Sequence, residues 1–353
     1  MTTSTILNLA SELLYQIFDY LDGIHIYMAF YGWSFRLNCL IDTIYQLHFD
    51  FTNIPLGKFI DYCQSVLPVI SKKLVAIKLT TENNQLQQFM LRFRLHQFSR
   101  LHSFTLIGVF CDKTITNVVE YLSTSKQLKS LVIQTIYNRS QASIDISNTL
   151  RSVIYHLPFL NNLTLATNEK QLVFINDRFT LSSSRTSSNC LQLLTLHLCC
   201  ATDLFKILVY LPNIKHITLT FCELPSRISS AILIVPSLCT LNLSSPENKL
   251  PFDYIIYLFK CFPNLNKFSL TTDNEQFVDG EQWQQLLSQL LQDLQKFRLL
   301  VKNVEYSCQQ DIKTSFSTSY WLSKHCQLNF IDMKDEKKRV NVNISYSNVK
   351  KAR

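Results

Sequence analysis

Residues 191–196 read LQLLTL, and the same skeleton, apolar-x-x-apolar-x-apolar, recurs through most of the chain. It stands at 74–79 (LVAIKL), 101–106 (LHSFTL), 128–133 (LKSLVI) and 160–165 (LNNLTL), then at 214–219 (IKHITL), 238–243 (LCTLNL), 265–270 (LNKFSL) and 294–299 (LQKFRL). Successive starts are 27, 27, 32, 31, 23, 24, 27 and 29 residues apart. In an extended segment the fourth and sixth residues share one face, and the residues between them point to the other. A six-residue strand cannot bury that face alone. The recurrence therefore predicts stacked units, each completing the core of the next.

A second regularity runs in step with the first. Four of the segments are preceded by an apolar stretch closed by proline: YHLPFL, VYLPNI, LIVPSL and KCFPNL, with Pro158, Pro212, Pro236 and Pro263. Each proline stands two residues before the first apolar residue of its segment. Proline cannot continue a helix and biases the chain toward an extended path. Each unit is thus expected to read helix, proline turn, short strand.

This pattern resembles the leucine-rich repeats of the ribonuclease-inhibitor type, whose units run about 20–29 residues. The resemblance implies an α/β horseshoe solenoid over residues 74–325, with parallel strands inside and helices outside. In that family the pattern continues to an Asn or Cys. Asn168, Cys199 and Cys222 hold this place in three central units, whereas Glu82, Val109, Ile136, Pro246, Asp273 and Lys302 hold it elsewhere. The ladder is broken and the outer units are irregular. The longest insertion, 168–190, carries an apolar LVFI and a polar run, Ser182–Asn189. Residues 326–353 hold two alternating segments, CQLNFID and VNVNISY, which predict a capping β-hairpin followed by a basic tail.

The N-terminal 3–47 are different. LASELLYQIFDYL (9–21) places Leu13, Leu14, Ile17, Phe18 and Leu21 on one helical stripe. Ser11 is the expected N-cap, and Gly23 the expected left-handed residue closing the helix. Ile26, Ala29, Phe30 and Trp33 mark a second helix, and Leu37, Leu40, Ile41, Ile44 and Leu47 a third. Three helices this short bury one another only partly. Residues 48–73 then read as a linker or irregular first unit.

The pattern of Leu9, Glu12, Leu13, Leu14, Ile17, Phe18, Tyr20, Leu21 and Asp22 resembles the opening of the F-box family. The usual Leu-Pro is Leu9-Ala10 here. The resemblance implies binding to the Skp-type adaptor of a cullin–RING ubiquitin ligase through Leu9, Leu13, Leu14, Ile17, Phe18 and Leu21.

Other function classes lack their signatures. Of 353 residues, only five are glycine, and neither GxGxxG nor GxxxxGK is present. No nucleophile elbow or HExxH occurs, so no catalytic residue, metal or cofactor is assigned. His197, Cys199, Cys200, His216 and Cys222 crowd two neighbouring units, but alternate strand positions point them to opposite faces, away from one ion. The net charge of +8 and the 11 cysteines without a CxxC pair fit a reduced cytoplasmic or nuclear protein with no membrane span. The basic balance, clustered at Lys334–Arg339 and Lys350–Arg353, permits contact with acidic partners or nucleic acid, but a solvated basic tail is the preferred reading over nucleic acid.

The outward strand positions offer a binding face. Its central column is Lys78, Thr105, Val132, Thr164, Thr195, Thr218, Asn242, Ser269 and Arg298. Ser103, Ser130, Asn162, His197, His216, Thr220, Thr240, Lys267, Thr271 and Lys296 flank it, and none of these is acidic. The candidate target contacts are Thr164, Thr195, His197, His216, Thr218, Asn242, Lys267, Ser269, Lys296 and Arg298, suited to an acidic or phosphorylated protein segment. Two readings stand: a non-catalytic substrate receptor of an SCF-type ligase, or a repeat scaffold or inhibitor whose F-box is vestigial.

Overall fold

A computed structural model describes residues 6–44, 46–109, 112–135, 143–166, 172–174, 190–199, 201–221, 232–245, 250–305, 308–332 and 339–347. The chain is an α/β protein. In chain order its first elements are α1 (Ser11–Asp19), α2 (Gly23–Phe30), α3 (Phe35–Thr43), β1 (Leu47–Asp50), α4 (Leu56–Ser65), α5 (Leu67–Ile70), β2 (Leu74–Thr80), α6 (Gln85–Arg92), β3 (Ser103–Val109), α7 (Asp112–Leu122), β4 (Ser130–Thr135), β5 (Ser143–Asp145), α8 (Ser147–His156) and β6 (Asn162–Ala166). Then come β7 (Leu172–Phe174), β8 (Leu193–Cys199), α9 (Ala201–Leu208), β9 (His216–Phe221), β10 (Thr240–Ser245), α10 (Phe252–Cys261), β11 (Lys267–Thr272), α11 (Gly280–Leu290), β12 (Lys296–Glu305), α12 (Gln309–Ser315), α13 (Ser319–Ser323), β13 (Gln327–Asp332) and β14 (Arg339–Ser347). Its contacts divide it into two compact units, 1–138 with 148–166, and 139–147 with 167–353.

Within the first unit β1, β2, β3, β4 and β6 pair in parallel, each with the next. Within the second, β8, β9, β10, β11 and β12 do the same. β5 and β7 form a short parallel pair beside β8. All nine sequence motifs lie in these ladders. Every one of their 27 apolar positions, three per motif, is at most 6% exposed. In the second unit Ile217, Leu241, Phe268 and Phe297 stand in one row, and Leu219, Leu243, Leu270 and Leu299 in the next.

Successive units are joined by one recurring backbone link. The carbonyl at the second motif position accepts two consecutive N–H groups of the following unit. Lys129 and Ser130 donate to His102, and Asn161 and Asn162 to Lys129. In the second unit the acceptors Gln192, Lys215, Cys239 and Asn266 each take two donors in the same way. Where strands are this short, such links satisfy donors that would otherwise lie buried without partners.

The four prolines make the expected turns in one specific form. Each occupies the second place of a β-turn. The carbonyls of Leu157, Leu211, Val235 and Phe262 accept from the N–H of Leu160, Ile214, Leu238 and Leu265. Proline's fixed φ suits that turn position. The residue before each proline is itself buried, adding a fourth apolar position per unit. Phe98 and Leu291 make the same turn without proline.

The stretch read as a linker contains a strand. Leu47, Phe49 and Phe51 are at most 2% exposed, and β1 pairs with β2. Its apolar spacing is one residue shorter than the motif, and a bulge between Leu47 and His48 absorbs the difference. Leu47 therefore belongs to β1 and not to the third helix. At the other end β14 pairs antiparallel with β12, and β13 with β14, forming the expected hairpin. Stacked Phe268, Phe297 and Tyr346, together with Trp283 and Trp321, fill the core beneath it.

Two N-terminal expectations fail on detail. Ser11 is not a cap: Ala10 holds that place, and the Ser11 hydroxyl accepts from Arg36, 3.2 Å away. Arg36 also donates to the carbonyls of Leu7 and Leu9, tying this segment to the start of α3. Gly23 is not left-handed. It opens α2, which Asp22 caps by accepting from the His25 N–H at 2.8 Å. A Cβ at Gly23 would lie 2.2 Å from the Phe49 ring, so this position needs glycine for room. Gly23→Ala is expected to cost about 1–3 kcal/mol by overpacking. Thermal melting should show the loss, and Phe49→Leu should recover part of it in the double variant.

Candidate functional site

In the second unit the outward rows of the ladder bring most of the sequence-read contacts together. Thr195, Thr218, Asn242, Ser269 and Arg298 stand directly opposite one another across β8 to β12. His216, Thr240, Lys267 and Lys296 form the adjacent row. Asn242 donates to the Thr218 hydroxyl at 3.2 Å. Thr164 stands in the corresponding row of the first unit, opposite Val132 on β4. His197 is part of β8, but its side chain lies outside the described residues, as do those of Asn168, Cys199, Cys200 and Cys222 and all of Ser182–Asn189.

The first unit adds a residue that the sequence reading missed. Asp50 of β1 sits opposite Lys78, and Lys78 Nζ donates to its Oδ2 at 2.7 Å. Burial works to raise the Asp50 carboxyl, but hydrogen bonds from Lys78 and Thr52, with the Lys78 charge, hold it below the ordinary carboxylate value. The signal was present: LHFD alternates as a strand does, and only the one-residue deletion hid it.

A depression of about 600 Å³ opens on the strand face of the second unit. Asn242, Lys267, Ser269, Lys296 and Arg298 line one side of it, and His325, Gln327, Ser345 and Ser347 of the hairpin region line the other. No carboxylate contributes to its lining. Lys267, Lys296 and Arg298 are exposed, and none of them joins an ion pair among the described residues. The hairpin residues were read from sequence only as a cap. The polar alternation of Asn341, Asn343, Ser345 and Ser347 was the cue that they continue the outward face. Donors without acceptor charges, beside hydroxyl and amide groups, can hold an anionic oxygen cluster.

The N-terminal stripe separates into two sets. Leu14 and Phe18 are buried, so they hold the three helices together. Leu9, Ile17 and Leu21 are half-buried, and Leu13 is 47% exposed. Phe18 and Leu21 also line a hollow of about 490 Å³ beside β1. Exposed large apolar groups gather here: Leu7, Leu13, Tyr20, Met28, Tyr31, Trp33 and Phe35 are seven of the 15 among the described residues. Sequence reasoning did not select Met28, Tyr31 and Phe35 among these, because they fall off the stripe or in turns.

Among the described residues no group of three or more His, Cys, Asp or Glu side chains could hold a metal ion. No helix among them is long and apolar enough to cross a membrane.

His216 reports on the field of the basic face. Burial, then the neighbouring charges of Lys267 and Lys215, hold its imidazole below the ordinary value of 6.5. An NMR titration should find its midpoint below that value, and Lys267→Ala should move it upward. A wild-type midpoint at or above 6.5 would contradict this placement. No protein-family model matches the chain, and no curated protein is found to match it.

Proposed function

We propose that the chain is a non-catalytic substrate receptor of an SCF-type cullin–RING ubiquitin ligase, acting in the cytoplasm or nucleus. Its N-terminal helices would take the Skp-type adaptor. The strand units would continue as a leucine-rich-repeat solenoid whose inner face holds a protein target. Such a receptor performs no chemistry; it raises the local concentration of target near the ligase.

One observation carries the adaptor half. Nearly half of the exposed large apolar side chains among the described residues crowd into 29 residues, Leu7–Phe35. Exposed apolar side chains concentrated on a small helical motif are costly in water and suit the core of a protein interface. The F-box resemblance of Leu9–Asp22 names the partner. The 27 buried motif positions and the repeated proline turns support the solenoid reading. The carboxylate-free basic depression favours an acidic or phosphorylated segment of the target.

Leu13 and Phe35 are exposed, so their replacement leaves the helical core in place. The full chain should bind a purified Skp-type adaptor, and Leu13→Asp/Phe35→Asp should weaken that binding at least tenfold, above about 1.4 kcal/mol. Circular dichroism should be unchanged. A wild-type chain that recruits no adaptor removes the ligase reading and leaves the scaffold reading.

The target half is tested apart from it. A library of phosphoserine and phosphothreonine peptides should be retained over its unphosphorylated counterpart. Lys296→Glu/Arg298→Glu should abolish that preference without altering adaptor binding. Equal retention of both libraries would reject an anionic target.

A further inference from the structure

The C-terminal hairpin leaves one edge of the second unit's sheet open among the described residues. Among the described residues β13 pairs with β14 and with no other strand. Such an edge presents a row of backbone donors and acceptors that another extended chain satisfies in series. The strand's two faces are unequal. Leu328 and Phe330 stand opposite Ile344 and Val342, which are fully buried, yet they are themselves only half-buried. On the other face Gln327, Asn329 and Ile331 stand opposite Ser345, Asn343 and Asn341, and Ile331 is 52% exposed. The outer strand of a terminal cap should be polar. This one carries three incompletely covered apolar groups.

The pattern of β13 is complementary to itself. Directly opposed residues of an antiparallel pair share a face. Two copies can therefore meet only where the paired residue numbers have the same parity. One such register sets Asn329 against Asn329 of the second copy. It places Leu328 against Phe330 on both sides of the axis, and Gln327 against Ile331. Shifting the register by one step either way keeps one apolar self-pair, Phe330 or Leu328, and sets Leu328 against Asp332, or Phe330 against Cys326, so only the register at Asn329 matches both apolar residues. We propose that β13 pairs antiparallel with β13 of a second copy of this chain, about a two-fold axis at Asn329. The contact is isologous, so each copy covers the other's Leu328 and Phe330 at once. One strand pairing buries less than the ~1,200 Å² typical of stable interfaces, so the dimer should be weak and concentration-dependent.

The test uses the full chain. Sedimentation across a micromolar concentration series should show a reversible monomer–dimer equilibrium that Ile331→Lys shifts to monomer. Under mild oxidation Asn329→Cys should form a covalent dimer well above the wild-type background from native cysteines. Ile331→Cys alone should not, because Gln327 stands opposite it, whereas Ile331→Cys mixed with Gln327→Cys should. A monomer at all concentrations overturns the proposal. So does a dimer in which Asn329→Cys is not trapped, or one in which Ile331→Cys alone is trapped equally well.

Discussion

The structure depends on the fact that no strand in it can stand alone. Each carries two or three inward apolar residues and an unsatisfied backbone row. Both needs are met only by a neighbour in the same register. The shared carbonyl that accepts two N–H groups from the next unit fixes that register without help from side chains. Packing then reinforces it, because the inward residues of adjacent strands fall into straight rows. At the end of the second unit, aromatic rings replace aliphatic groups in those rows. Trp321 donates from its ring nitrogen to the Gly280 carbonyl at 3.1 Å, joining α13 to the start of α11 beneath those rings.

The N-terminal helices belong to the same system. α2 lies against β1 so closely that Gly23 has no room for a side chain. Lys73, just before β2, reaches the carbonyl and carboxylate of Asp42 in α3 at 2.7 and 3.0 Å. The helical motif is thus built into the first strands of its unit and is not a bead on a linker.

Much of this was legible in the sequence, and the failures have physical causes. Burial is a one-body property of each position, so the spacing of one, four and six identified 27 positions that are all buried. Hydrogen-bond geometry is a property of several positions at once. Hence the proline turns were expected but their hydrogen-bond form was not, and Ser11 was assigned to its own helix when Arg36 claims its hydroxyl. β1 escaped because one deleted residue broke the spacing while the bulge preserved the pairing. The outward rows of the strands were read in the right order, but the second wall of the depression was not. That wall comes from an antiparallel hairpin whose residues carry no repeat signature. The stripe of Leu14 and Phe18 was likewise read as surface because periodicity marks a face without saying what covers it.

The pairing of Asp50 with Lys78 bears on how fast a ligand could arrive. That pair is neutral in sum, so Lys78 adds little to any long-range field. Lys267, Lys296 and Arg298 have no counter-ion among the described residues, and their fields add over one shared depression. An anionic segment diffusing nearby would be drawn toward that one patch and turned to meet it, within about 8 Å at physiological ionic strength. Capture there would be a matter of encounter rate as much as of final fit. Added salt would slow arrival before it loosened the complex.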